Sequence, residues 1–344
     1  MKKWAVAIAA VLLLFSGCSK EKVKEPEKKE EKAAKQVVKK QETQYTFPLT
    51  GMAAVKEPEQ RAIAVMINNH PKARPQSGLS KADVVYEILA EGDITRFLAV
   101  FQSEKPANIG PVRSARDYYI KLAKGLNALY IAHGYSPEAK KMLNNNYVDN
   151  LNGMVYDGTL FKRSTARKAP HNSYITYENI LKGAKLKKYS MKKTTPGFQF
   201  LSDEEMKNLS GKAANSVAIN YSTGGISNSS FVYDAALGKY KRFFSGGQQT
   251  VDLETNNPVL VDNIFIIEAV HSFIDSYGRR DIDLTSGGKG YLLQKGKVNE
   301  VNWENHDGLI VPLKDGQEVR MVPGKTWVNV VPTQPGLQKS VSFK

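Results

Sequence analysis

The sequence predicts an α+β protein: a mixed first part, then a β-rich second part, both preceded by a signal peptide and a solvated tether. Three observations predict it. Between residues 61 and 144, apolar runs of strand length alternate with stretches of helical spacing. After Gly211, nine short runs stand between Gly, Asn and Asp turns with almost no helical pattern. Before residue 45, a short apolar leader gives way to a segment of Lys, Glu, Gln, Ala and Val without an aromatic residue. The chain has 344 residues, 41% hydrophobic and 24% charged, enough for one large or two ordinary domains. The boundaries are placed at 1–17 for the signal peptide, 18–46 for the tether, 47–190 for the α+β domain and 212–335 for the β-rich domain.

Lys2 and Lys3, the apolar stretch 4–15 and the small pair Ser16-Gly17 form a secretion signal that ends at Cys18. Residues 14–18 (LFSGC) resemble a bacterial lipobox, with Phe15 where leucine is usual. The cysteine is then acylated, by chains such as palmitate, and becomes the first residue. Each buried methylene contributes about 0.8 kcal/mol, so two or more chains anchor stably. This is the single cysteine of the chain, which excludes an intramolecular disulfide, a thiolate zinc cluster and a Cys-x-x-Cys redox pair. Residues 20–44 hold nine Lys and six Glu and cannot bury enough apolar area to offset their ordering entropy. As a coil the tether reaches about 30 Å.

Residues 61–68 (RAIAVMIN) read as a strand halted at Asn69-His70-Pro71. Residues 84–91 and 94–102 read as a hairpin turning at Gly92-Asp93. Helical spacing covers 114–124 and stops at Gly125; 126–132 is strand-like; Ser136 caps a helix over 137–144 with Pro137 first. Ser202-Asp203-Glu204-Glu205 is a capping box that opens a short helix closed by Gly211. The later strands are placed at 216–221, 231–233, 240–244, 263–270, 291–294, 298–303, 309–313, 319–322 and 327–331, with Gly287-Gly288-Lys289-Gly290 as a hairpin turn.

The formal charge is +15, and the tether and the two leading lysines account for a third of it: 38 Lys and Arg against 28 Asp and Glu remain without them. Such a balance suits an acidic partner without naming it. The best chemical candidates surround the turn His133-Gly134-Tyr135-Ser136 at a helix start, an end that attracts anions. Arg113 and Arg116, with Arg163, Arg167 and Lys168, form the candidate anion-binding set, because arginine forks suit phosphate and carboxylate. His133, Ser136 and His171 form the candidate acid/base or polar set, with His70 a further partner for His133. No Gly-x-Ser-x-Gly elbow occurs. Asp281, Asp283, His306 and Asp307 are of metal-ligating type but lack a ligand motif, so neither metal nor cofactor is assigned. An exported address argues against nucleic acid. Trp303 and Trp327 would serve a protein-interaction module if exposed and a core if buried.

Several of these runs also carry a resemblance. Residues 73–79 (ARPQSGL), 82–87 (ADVVYE), Thr95-Arg96-Phe97, 109–116 (IGPVRSAR), His133-Gly134, Ser136-Pro137, 167–172 (RKAPHN), Trp303 and 323–328 (PGKTWV) resemble the YerB-like lipoprotein family of Gram-positive bacteria. The resemblance spans nearly everything from Phe47 to Pro332. It implies two family domains on a membrane lipoprotein and brings no chemistry with it. The reading is a membrane-anchored extracytoplasmic lipoprotein, held by membrane lipid through acylated Cys18. Its expected role is a binding or scaffold protein for an anionic wall polymer or a protein partner, the alternative being a hydrolase or transferase acting on an anionic envelope polymer.

Overall fold

A computed structural model describes residues 45–344; Cys18, the leader and the segment 20–44 lie outside the described residues. The strand Ile63–Asn68 forms where isoleucine, valine and methionine leave no polar side, and all six residues are buried, as in a strand covered on both faces. Beside it lies the predicted hairpin Val84–Glu91 and Ile94–Phe101, with Gly92 at φ +49° in the turn. Leu129–Ala132 and Asn150–Asn152 extend the sheet on the other side of Ile63–Asn68, all three parallel.

The β-rich second part continues the same layer. Thr326–Pro332 pairs in parallel with both Val84–Glu91 and Asn263–Ala269, and from there Gly288–Gln294, Lys297–His306, Leu309–Lys314 and Gln317–Glu318 follow antiparallel. The result is a 12-stranded mixed sheet, with Lys212–Ala213 added on Lys297–His306. A second sheet of five strands runs in the order Leu260–Val261, Lys239–Phe244, Ser229–Asp234, Ser216–Ile219 and Val341–Phe343. It lays Phe231, Tyr240 and Val217 against Phe97, Ile264 and Trp327 of the large sheet. On the opposite face the helix Asp117–Gly125 buries Tyr118, Tyr119 and Leu122 among Tyr86, Leu98 and Tyr130. The α+β class is therefore the observed one, with few helices and many strands.

Local differences from the expected elements have local causes. The helix starts at Asp117 rather than 114 because Ala115 is held by the next turn, donating to Gly134 and accepting from Ser136. The following strand starts only at Leu129, after Asn127 at φ +52° turns the chain. Residues 319–322 are not a strand; Met321 makes one isolated bridge to Phe200. Gly288 and Gly290 lie inside the strand Gly288–Gln294, not in a turn, facing Trp303 and Val301 across the ladder. A Cβ on Gly288 would sit 2.8 Å from Trp303 Nε1, so this glycine admits the indole. Trp303 and Trp327 are both fully buried, which removes the surface-aromatic role for them.

The small hairpin His271–Phe273 with Arg280–Ile282 carries a titration of its own. Burial, opposed by the hydrogen bond to Ala269 and reinforced by Arg280, pushes His271 down to about 4. Its Nδ1 lies 2.9 Å from Ala269 O, which can only accept, so Nδ1 holds the proton and the buried Nε2 is without a partner. The folded pKa lies below the ordinary histidine value, so the contribution to stability is complete above pH ~6.5 and is lost as pH falls toward 4. His271→Phe is expected to flatten the fall in Tm between pH 6.5 and 4; an unchanged slope would remove His271 as its source.

Candidate functional site

The parallel strands Ile63–Asn68, Leu129–Ala132 and Asn150–Asn152 end at one edge of the large sheet, and their carboxyl ends lead directly into Asn69-His70, His133-Gly134 and the short helix Gly153–Tyr156. Ligand sites on sheets with parallel strands favour that edge. Residues 111–113 cross it: Asn68 donates to Pro111 (2.8 Å), Arg113 to Met66 (2.9 Å), His133 to Arg113 (2.9 Å) and Val112 to Ser173 (2.7 Å). Backbone pairing thus sets Arg113 between the loops of His70, His133 and His171.

Arg113 is the exceptional cation of the group. Arg113 is half-buried, and no carboxylate or hydrogen-bond partner for its guanidinium is found among the described residues. Burial first, and Arg96 second, bring it down to about 10, so it stays charged at neutral pH. Its charge helps to lower the pKa of His70, His133 and His171 alike, behind burial as the leading cause in each. The rings of His70 and His171 stack, with centroids 4.5 Å apart and planes 28° apart. Asn68 joins the pair, its Oδ1 accepting from the His70 N–H (3.0 Å) and its Nδ2 lying 2.9 Å from His171 Nδ1.

His133 forms the next wall. Its ring, 9% exposed, packs edge-on to Phe161 and lies against Gly153, where a Cβ would come within 2.2 Å of Nδ1. Arg163 Nη2 donates to Nε2 (3.0 Å), which places the ring proton on Nδ1, 2.7 Å from Ser173 Oγ. Arg163 is itself held by Asp157 (2.9 Å) and by Asn172 Oδ1 (3.1 Å). The Arg163 hydrogen bond is the chief cause that lowers the Asp157 carboxyl, which therefore stays ionised.

Of the residues singled out in the sequence, the fold gathers Arg113, His133, Arg163 and His171 here, with His70. The others are placed differently. Arg116 pairs with Glu91, whose two oxygens also accept from Arg96 Nη2 (2.7 Å each), in a partly buried group on the helix Asp117–Gly125 side. Arg167 is a clamp: it donates to the carbonyls of Ala73 (2.8 Å) and Pro75 (2.7 Å) and to Tyr174 Oη (2.7 Å), fixing the loop that follows His70. Ser136 is buried and caps Pro137–Asn144 by accepting from Ala139 N–H (3.2 Å). Lys168 is exposed. His306 sits beside Glu304, and Asp283 accepts from Thr285 and Ser286, so these metal-type residues serve local contacts. Asn68, Asn172, Ser173 and Asp157 were not anticipated; only Asn68 carried a sequence signal, the polar Asn68-Asn69-His70 directly after a fully apolar run.

Comparison with known proteins places this geometry in a family. Residues 49–190 match the N-terminal domain, and 217–328 the C-terminal domain, of the protein of unknown function DUF3048. The chain belongs to the DUF3048 family. It is 46% identical over 339 residues, 96% of each chain, to the Bacillus subtilis (strain 168) protein named "Putative lipoprotein YerB". The crystal structure of YerB from Bacillus subtilis matches with a TM-score of 0.80 at 46% identity, covering 87% of this chain and 99% of that one. In this DUF3048 protein the cluster around Arg113 lies within the N-terminal family segment. The large sheet joins both segments through Thr326–Pro332 and Val84–Glu91.

Proposed function

We propose that this chain is a lipid-anchored, extracytoplasmic binding protein whose site around Arg113, His70 and His171 takes an anionic envelope ligand. The observation that carries the reading is Arg113: a half-buried guanidinium with no carboxylate partner among the described residues, at the carboxyl edge of parallel strands, flanked by histidines and by Arg163. A buried charge is costly unless something pairs with it, and a bound anion is the missing partner. Residues 14–18 and the lipoprotein name of the Bacillus subtilis relative support the anchor at Cys18.

The hydrolase or transferase reading draws on His133 as base. It finds little support, because Arg163 occupies Nε2 while Nδ1 already holds the proton that faces the buried Ser173 hydroxyl. Titration of inorganic phosphate and of anionic glycans separates the outcomes. Arg113→Ala is expected to weaken binding by at least about tenfold, the scale of one charge-assisted hydrogen bond, with little change in Tm. Arg116→Ala should do the reverse, lowering Tm and sparing affinity, since its partner is Glu91. Equal affinity in parent and Arg113→Ala would sink the site. For the anchor, inhibition of the lipoprotein signal peptidase should leave a heavier precursor, and unchanged mobility would count against acylation.

A further inference from the structure

The two stacked imidazoles beside Arg113 have their tautomer set from behind. His70 Nδ1 accepts from the Lys72 N–H (3.1 Å), and His171 Nδ1 faces the Asn68 amide nitrogen (2.9 Å). Neither donor can reverse: the first is backbone, and the second is oriented by its own Oδ1, which accepts from the His70 N–H (3.0 Å). The ring proton of each neutral histidine therefore sits on Nε2, and a second proton on Nδ1 would confront an N–H. A histidine that binds metal through Nε2 needs the opposite arrangement, with Nδ1–H donating and the Nε2 lone pair free, and here each Nδ1 lone pair is already taken by an N–H. The charged groups that face the pair are all basic: Lys72 and Arg74 on the loop of His70, Arg113 on the crossing segment and Arg167 on the loop of His171. Lys72 and Arg113 oppose a further positive charge on both rings, Arg74 on His70 and Arg167 on His171.

We infer that the site takes a phosphodiester, gripped by the Arg113 guanidinium and two uncharged Nε2–H donors, without uptake of a proton. The inference rests on the anion-binding reading and adds a ligand class to it. Charge and shape both point that way. Of the four basic groups, Arg74 and Arg167 spend their donors on backbone carbonyls and Tyr174, and Lys72 is exposed, so Arg113 is the cation left to grip a ligand. One gripping cation with neutral donors matches the single charge a diester keeps across the neutral range, whereas a monoester brings a second charge that neutral imidazoles leave without a direct partner. The donors come from three separate chain segments, and the two charged oxygens of a diester, held tetrahedrally on phosphorus with the ester oxygens, can meet donors from outside any one plane. A carboxylate offers two oxygens in one plane, which a guanidinium fork alone can fill.

The test titrates the full chain in detergent with glycerophosphoglycerol, glycerol 3-phosphate and glucuronate between pH 5.5 and 8, by calorimetry in two buffers of different ionisation enthalpy. Glycerophosphoglycerol is expected to bind most tightly, with affinity changing less than about threefold over the range and no proton uptake. His70→Phe and His171→Phe keep a stacked ring but delete Nε2–H; each is expected to weaken the diester about tenfold while Tm stays near the parent's. Proton uptake with affinity rising as pH falls, or glucuronate bound as tightly as the diester, overturns the phosphodiester inference and leaves the anion site standing. Failure of all three anions to bind in an Arg113-dependent way overturns both. Two competitors identify the source: displacement by phosphatidylglycerol nanodiscs assigns the diester to a lipid headgroup, and displacement by soluble poly(glycerol phosphate) alone assigns it to a polymer. Either result supports the inference.

Discussion

Arg242→Met is expected to cost the folded protein about 3–5 kcal/mol, because it strands Glu87 as a buried carboxylate without its counter-charge. Both side chains are fully buried, and the guanidinium meets Glu87 Oε1 at 3.1 Å and Oε2 at 2.9 Å. The carboxylate also accepts from Trp327 Nε1 (3.0 Å), Thr95 Oγ1 (3.0 Å) and Asn69 Nδ2 (3.2 Å). Four aromatic rings surround the cation, with the centroids of Phe244 and Trp327 each 4.8 Å away. Glu87 stands on Val84–Glu91, Arg242 on Lys239–Phe244 of the smaller sheet and Trp327 on Thr326–Pro332, so one group bonds three strands.

The double variant Glu87→Gln, Arg242→Met is expected to recover much of the loss, since desolvating two charges offsets much of their attraction and replacing both removes that penalty. Urea unfolding of both variants checks this, and an Arg242→Met loss under about 1 kcal/mol would contradict the role of the Glu87–Arg242 pair in holding the three strands together. The damage reaches the site by a short route. Asn69, which donates to Glu87, also accepts Arg74 through its carbonyl (2.8 Å), and His70 is the next residue. The single variant should therefore weaken anion binding as well.

The sequence carried the periodic elements well, because their signals are local. Ser136-Pro137 placed the helix Pro137–Asn144, and Ser202 with Glu205 placed the start of Asp203–Lys207, which ends at the cap Asn208 and not at Gly211 as its glycine signal suggested. The apolar run ending at Asn68 and the hairpin around Gly92 were equally legible. What stayed hidden depends on contacts far along the chain. The helix Tyr177–Leu186 has Thr176 as its cap, but Gly183 in its middle reads as a breaker. In the fold that glycine lets the helix close on Leu151 and Leu160, where a Cβ would come within 2.5 Å. Arg113 and Arg116 looked alike on the page, three apart and both basic. Only the position of Glu91, which takes Arg116 and leaves Arg113 without a carboxylate among the described residues, separates them. His70 and His171 lie about a hundred residues apart, and no spacing rule connects them.

Gly125 shows how far a locally correct reading can miss the larger force. As the last residue of Asp117–Gly125 it marks the stop of the helix, and by propensity alone Gly125→Ala should stabilise by up to about 1 kcal/mol. The packing opposes this. An added Cβ would lie 2.1 Å from Asp307 O and 2.3 Å from Gly308 Cα, and a Cβ on Gly308 would in turn meet Gly125 Cα at 2.5 Å. Asp307 and Gly308, at φ +53° and +101°, form the turn between Lys297–His306 and Leu309–Lys314. These are backbone atoms on both sides, so no rotamer change relieves the overlap, and either the helix or the hairpin must move. Overpacking of this kind costs about 1–3 kcal/mol, and the upper end applies where no side chain can yield. A net loss of about 2 kcal/mol in Gly125→Ala is therefore expected after the propensity gain is set against it. The site around Arg113 lies beyond the other end of that helix, so anion affinity should stay at the parent value while Tm falls. A raised Tm in this variant would mean that the helix end and the hairpin turn do not meet in solution.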